Sequence, residues 1–101
     1  MILYNVTVNI DMMVEEEWIN WMKATHIPNV MATGLFTDNK FYKLLHESED
    51  GGVNYSVQYF AEDIQKIHDY QENHAPALQE EVREKFEGRF VTFRSVLELV
   101  P

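Results

Sequence analysis

Apolar residues fall at every second position where the chain begins: Ile2, Tyr4, Val6, Val8 and Ile10, with Asn5, Thr7 and Asn9 between them. A period of two predicts a strand with one face for a core. Asp11 can cap a helix after this strand, and Glu15, Glu16 and Glu17 sit where a helix N-terminus favours negative charge. Val14, Trp18, Trp21, Met22 and Thr25 then recur at helical spacing and form one apolar stripe. Proline disfavours a helical residue before it, so Pro28 is expected to stop this helix, and Gly34 marks the exit.

A second strand is predicted over 35–47, with Phe41, Lys43 and Leu45 on one side and Tyr42, Leu44 and His46 on the other. Asp50-Gly51-Gly52 supplies the positive-φ residues of a tight hairpin. A third strand over 53–60 sets Val53, Tyr55, Val57 and Tyr59 against Asn54, Ser56 and Gln58. Glu62 and Asp63 open a second helix that carries Ile64, Ile67 and Tyr70. Pro76 fits the first turn of a further helical segment, with Leu78, Val82 and Phe86 facing inward. Gly88 ends it, and 90–99 reads as the last strand, with Val91, Phe93, Leu97 and Leu99 on one face.

The order β-α-β-β-α-β predicts an α+β, ferredoxin-like fold: an antiparallel four-stranded sheet with helices on one face, as one domain over 1–101. The opposite face is then bare. If the more apolar faces meet the helices, the bare face carries Asn5, Thr7, Asn9, Asn54, Ser56, Gln58, Thr92 and Arg94. These side chains are nearly all uncharged in a chain that is 25% charged, whereas a fully solvated face would hold more Lys and Glu. A second sheet covering this face, with a wet polar cavity between, accounts for that composition. An ordinary solvent face that is neutral in so few positions is the plainer alternative.

Charge narrows the partners. The net charge of −9 repels phosphate backbones and anionic lipid, so nucleic acid and membrane surfaces are not expected. There is no cysteine, which excludes disulfides, thiolate metal sites and a cysteine nucleophile. The opening residues lack the basic flank of a signal peptide, and no apolar run approaches the roughly 18 residues of a membrane span. A cytoplasmic protein is expected.

The two halves share a local pattern, His26-Ile27-Pro28 and His74-Ala75-Pro76, each followed by a glycine and then an aromatic. The histidines read either as a ligand-facing or proton-transferring pair at helix ends, or as last-turn residues that donate to unpaired carbonyls. His26 has the better surroundings, since Trp18, Trp21 and Met22 just upstream can wall a pocket. Trp18 and Trp21 equally suit a core or a dimer interface. Arg94 can clamp a carboxylate or phosphate group, or pair with Glu98. Tyr55 and Tyr59 suit core positions with hydroxyls near the rim. No pair among His26, His46, His68 and His74 has helical zinc spacing, and the four glycines form no phosphate loop, so neither a metal nor a cofactor is expected.

The opening strand, the His26-Ile27-Pro28 segment up to Gly34, the strand around Tyr55 to Phe60, the His74-Ala75-Pro76-Ala77-Leu78 step and the close from Gly88 to Leu97 resemble an uncharacterised domain-of-unknown-function family of short bacterial proteins. More distantly, the pattern is similar to the dimeric α/β-barrel superfamily. That superfamily includes cofactor-independent monooxygenases, haem-using enzymes, isomerases and plain ligand-binding proteins, and several members carry a His-x-Pro step after the first helix. The resemblance implies a homodimeric small-molecule-binding or regulatory module. Its ligand would be met by Trp18, Trp21, His26, Tyr55, Gln58, His74 and Arg94. The alternative it implies is a small cofactor-independent enzyme of monooxygenase or isomerase type, with His26 as its general base or hydrogen-bond donor and Arg94 as an anion anchor.

Overall fold

The opening alternation becomes β1 (Ile2–Asp11), and it is central: it pairs antiparallel with β3 (Gly52–Ala61) on one side and β4 (Phe90–Glu98) on the other. The computed structural model describes residues 1–45 and 50–101. Among these, β2 (Asp38–Lys43) completes an antiparallel sheet of order β2-β3-β1-β4. The second strand is shorter than the sequence suggests, because Phe36 leaves the strand path and buries its ring in the core. His46 lies outside the described residues.

Asp11 does cap, but its carboxylate accepts from the Met13 amide at 2.8 Å and so holds a 3-10 turn, Met12–Val14, ahead of the helix. Helix α1 (Glu15–Trp21) comes next, with its three glutamates in the first turn. It does not stop at the proline. A π turn, Met22–His26, carries the chain into α2 (Ile27–Met31), and the Ile27 amide donates to the Met22 carbonyl five residues back. Pro28 has no N–H to give, and its ring would crowd the carbonyl four residues earlier; one widened turn relieves both conflicts. Helix α3 (Ile64–Asn73) starts at Asp63, whose carboxylate accepts from the Lys66 amide, and Ile64 faces solvent instead of the core. His74 separates α3 from α4 (Ala75–Lys85), which has its proline in the first turn as expected. Positive φ at Gly34 and Gly88 lets the chain leave α2 and α4 towards the next strands.

Pairing register assigns the faces. Tyr4, Val8 and Ile10 of β1 lie beside Tyr55, Val57 and Tyr59 of β3 on the helix side. Trp18 closes this core, with its ring 5.0 Å from Tyr55 and 5.5 Å from Phe41. Full burial of such a side chain stabilises by about 1.5–3 kcal/mol. On the other side Asn5, Thr7 and Asn9 stand opposite Gln58, Ser56 and Asn54, as the alternation predicts.

Strand β4 reverses the expectation. Arg94 pairs with Val6, Thr92 with Val8 and Phe90 with Ile10, so these side chains share the helix side. Val91, Phe93 and Leu97 take the bare face, where Val91 and Phe93 are 71% and 68% exposed. The sequence rule puts the more apolar side of β4 inward. The register with β1, continued by the Asp11 amide donating to the Arg89 carbonyl, puts it outward.

Among the described residues no helix is long and apolar enough to cross a membrane.

Candidate ligand site

A cavity of about 210 Å³ opens between the helix layer and the β1 and β4 side of the sheet. Its floor comes from the inward positions of three strands: Tyr4, Val6 and Val8 of β1, Val57 and Tyr59 of β3, and Phe90, Thr92 and Arg94 of β4. Trp18 of α1, Met22 and His26 of the π turn, Tyr70 of α3, and Gln79, Val82 and Arg83 of α4 form the walls. The π turn matters here, because Met22 and His26 both face the cavity from it.

The polar groups gather in one region. Tyr4, Tyr59 and Tyr70 belong to one aromatic cluster with Phe36, with ring centres 5.0–6.4 Å apart. Burial pushes the Tyr4, Tyr59 and Tyr70 hydroxyls up, and the Arg94 guanidinium opposes the rise at Tyr4 and Tyr70. Burial also holds the His26 imidazole down at about 4, with the Arg94 charge adding to the effect. His26 is therefore neutral near pH 7. Its ring stacks on Trp21 at 5.4 Å, and Trp21 in turn meets Phe86 edge-on at 5.6 Å.

Two polar atoms are buried here without a hydrogen-bond partner among the described residues: His26 Nδ1 and the Tyr59 hydroxyl. Leaving such an atom unpaired costs about 1–3 kcal/mol, and both atoms belong to residues that line the cavity. Arg94 stands at the exposed mouth, donates to Thr92 Oγ1 at 3.2 Å, and has no carboxylate partner among the described residues. The Glu98 pairing considered from sequence does not form. Arg83 also lines the cavity, but it is paired with Glu80.

The candidate residues divide. Trp18, His26 and Arg94 line the cavity, and Trp21 stands behind His26. Tyr55 packs against Trp18, and its hydroxyl donates to Glu15. His74 stacks on Tyr70 at 6.4 Å without reaching the cavity lining, so the two histidines do not form a pair. Gln58 lies on the bare face, where it donates to Ser56; period-two alternation along β3 makes it turn away from Val57 and Tyr59. The tyrosine hydroxyls of Tyr4, Tyr59 and Tyr70 are the site groups that sequence reasoning missed. The available signal was three tyrosines at inward-facing positions, each bringing a polar atom into a core.

The bare face is itself ordered. Ser56 donates to Asn5 Oδ1 at 2.6 Å, Asn5 donates to Thr7 and Ser95, and Asn9 donates to Asn54, making a polar ladder across three strands. Apolar side chains flank it: Val91, Phe93 and Leu97 on β4, and Tyr42 and Leu44 along the opposite edge.

The architecture has solved counterparts. An EthD family protein from Bacillus halodurans superposes with a TM-score of 0.67 at 10% identity, covering 99% of this chain and 100% of the other. HapK from Hahella chejuensis gives 0.72 at 8% identity, over 99% and 93% of the two chains. A dimeric ferredoxin-like protein from an uncultured marine organism gives 0.56 at 10% identity, over 99% and 97%. At these identities the likeness is one of fold. No curated protein matches by sequence. A family profile described as a domain of unknown function, DUF4286, matches residues 1–100.

Proposed function

The chain belongs to the DUF4286 family of domains of unknown function, and from the cavity it encloses we propose that it is a small-molecule-binding module. The observation that carries this reading is the cavity itself, lined mostly by hydrophobic and aromatic side chains, with Arg94 at its mouth and the neutral imidazole of His26 on its wall. An apolar cavity of about 150 Å³ accepts a benzene, so 210 Å³ suits a single ring with a few further atoms. The module works as one ferredoxin-like unit over 1–101 in the cytoplasm, and two copies pair through their bare sheet faces. Support for the pairing comes from the exposed Val91, Phe93 and Leu97 beside an uncharged polar ladder, a composition suited to burial against its own symmetry mate. The test is a fragment screen by two-dimensional NMR with native mass spectrometry. Compounds that shift the amides of Trp18, Met22 and Val82 in a dimer of unchanged mass per subunit support the reading; a library that leaves those amides unmoved overturns it.

The π turn favours a second reading, a small cofactor-independent enzyme of monooxygenase or isomerase type, since such turns recur at functional sites. In that reading His26 is neutral and ready to accept a proton or donate a hydrogen bond, with Arg94 holding the anionic end of the substrate. Turnover lost in His26→Gln with ligand affinity retained selects this reading; a bound ligand recovered unchanged after prolonged incubation rejects it.

A further inference from the structure

The cavity differs in charge from the chain around it. The protein has 17 acidic against 8 basic side chains, yet the described lining residues include two arginines and no Asp or Glu. One of the two, Arg83, is neutralised by Glu80. The other, Arg94, stands at the mouth and has no carboxylate partner among the described residues. Beside it on the lining stand the hydroxyls of Tyr4 and Tyr70 and the neutral imidazole of His26, groups that can donate a hydrogen bond, while the Tyr59 hydroxyl is sealed deeper in the core. Val6, Val8, Trp18, Met22 and Phe90 give the same lining an apolar part.

Resting on the reading of the cavity as a ligand site, we propose that its ligand is a compact monocarboxylate, with the carboxylate held by Arg94 and the Tyr4 and Tyr70 hydroxyls and a ring-sized apolar body lying over Trp18 and Met22. A guanidinium offers two parallel N–H donors to one carboxylate, and phenol hydroxyls supply the remaining contacts. With one lining arginine that has no carboxylate partner among the described residues, and a mostly apolar lining around it, a single carboxylate is matched better than a phosphate dianion, which would leave more charge uncompensated in a half-buried site. The net charge of −9 adds selectivity, since it repels polyanions more strongly than a small monoanion.

Benzoate, its neutral isostere benzamide, and inorganic phosphate are the probes, each titrated into the full chain and followed by the Trp18, Met22 and Val82 amides. Benzoate is expected to bind about ten- to a hundredfold more tightly than benzamide, the range of a charge-assisted pair. Arg94→Gln is expected to erase that preference, and Arg94→Lys to restore part of it. Arg94 is exposed, so neither change threatens the core. Benzamide binding as tightly as benzoate, or a preference that survives in Arg94→Gln, overturns the carboxylate assignment and leaves the ligand site standing. Phosphate alone shifting those amides overturns it in favour of a phosphate ligand. If none of the probes moves them, both the carboxylate and the use of the cavity as a site for ring-sized ligands fall.

Discussion

Acidification from pH 7 to 5 should weaken this fold through one imidazole. His26 is held at about 4 in the folded protein, against an ordinary value of 6.5, first by burial and then by the Arg94 charge. The groups facing it are the Trp21 ring and, around the cavity, Tyr4, Tyr59, Tyr70, Arg83 and Arg94. Between pH 6.5 and 4 the unfolded chain binds the extra proton, so stability falls as pH falls through that window. The full shift corresponds to about 3 kcal/mol, and about 2 kcal/mol of it is lost by pH 5. Asp11 does not confuse the measurement. Its carboxyl is held below 3.8 by the Met13 amide and by Arg89, so its contribution is present above that value and lost beneath it. Urea titrations between pH 7 and 5, at one protein concentration, would compare the wild type with His26→Gln, which cannot take up a proton. The wild type should lose about 2 kcal/mol more than the variant. Equal losses, or an imidazole that titrates near 6.5 by NMR, would refute the reasoning.

Three other outcomes are expected. Trp18→Ala removes the ring that closes the core against Tyr55 and Phe41, and should cost about 3–5 kcal/mol in urea unfolding. Tyr59→Phe deletes a buried hydroxyl with no partner among the described residues, so the protein should gain about 1 kcal/mol in urea unfolding. Phe93→Asp puts a charge on the bare face without touching the core, and should halve the mass seen by light scattering while leaving the circular dichroism spectrum unchanged.

Much of the fold is legible because β1 and β3 obey a strict period of two and bury the side that alternation selects. The failures have two causes, a strand pairing that overrides a local rule and a helix geometry that the rule does not cover. Val91, Phe93 and Leu97 read as core because they are the apolar side of β4, but the side a strand buries is fixed by pairing with its neighbour. Pro28 reads as a helix stop because the rule assumes α geometry, and a π turn escapes it. The site is legible where helical spacing carries it, at Trp18, Met22 and His26. It is not legible at Tyr4, Tyr59 and Tyr70, which come from three elements and meet only after folding. Arg94 stands out in the sequence but is assigned there to the wrong face, and Gln58 joins it in the expected site for the same reason.

Strand β4 is a two-sided part. Its even positions, Phe90, Thr92 and Arg94, serve the cavity, and its odd positions, Val91, Phe93 and Leu97, serve the proposed pairing face. Point changes in this stretch therefore act on one association at a time. A single added codon acts on both, because it exchanges the two sets of side chains in one step, turning the guanidinium outward and the phenyl ring inward. The number of residues between Gly88 and Leu97 is thus held more tightly than their identities. In a library of variants, substitutions across this stretch should survive far more often than one-residue insertions or deletions.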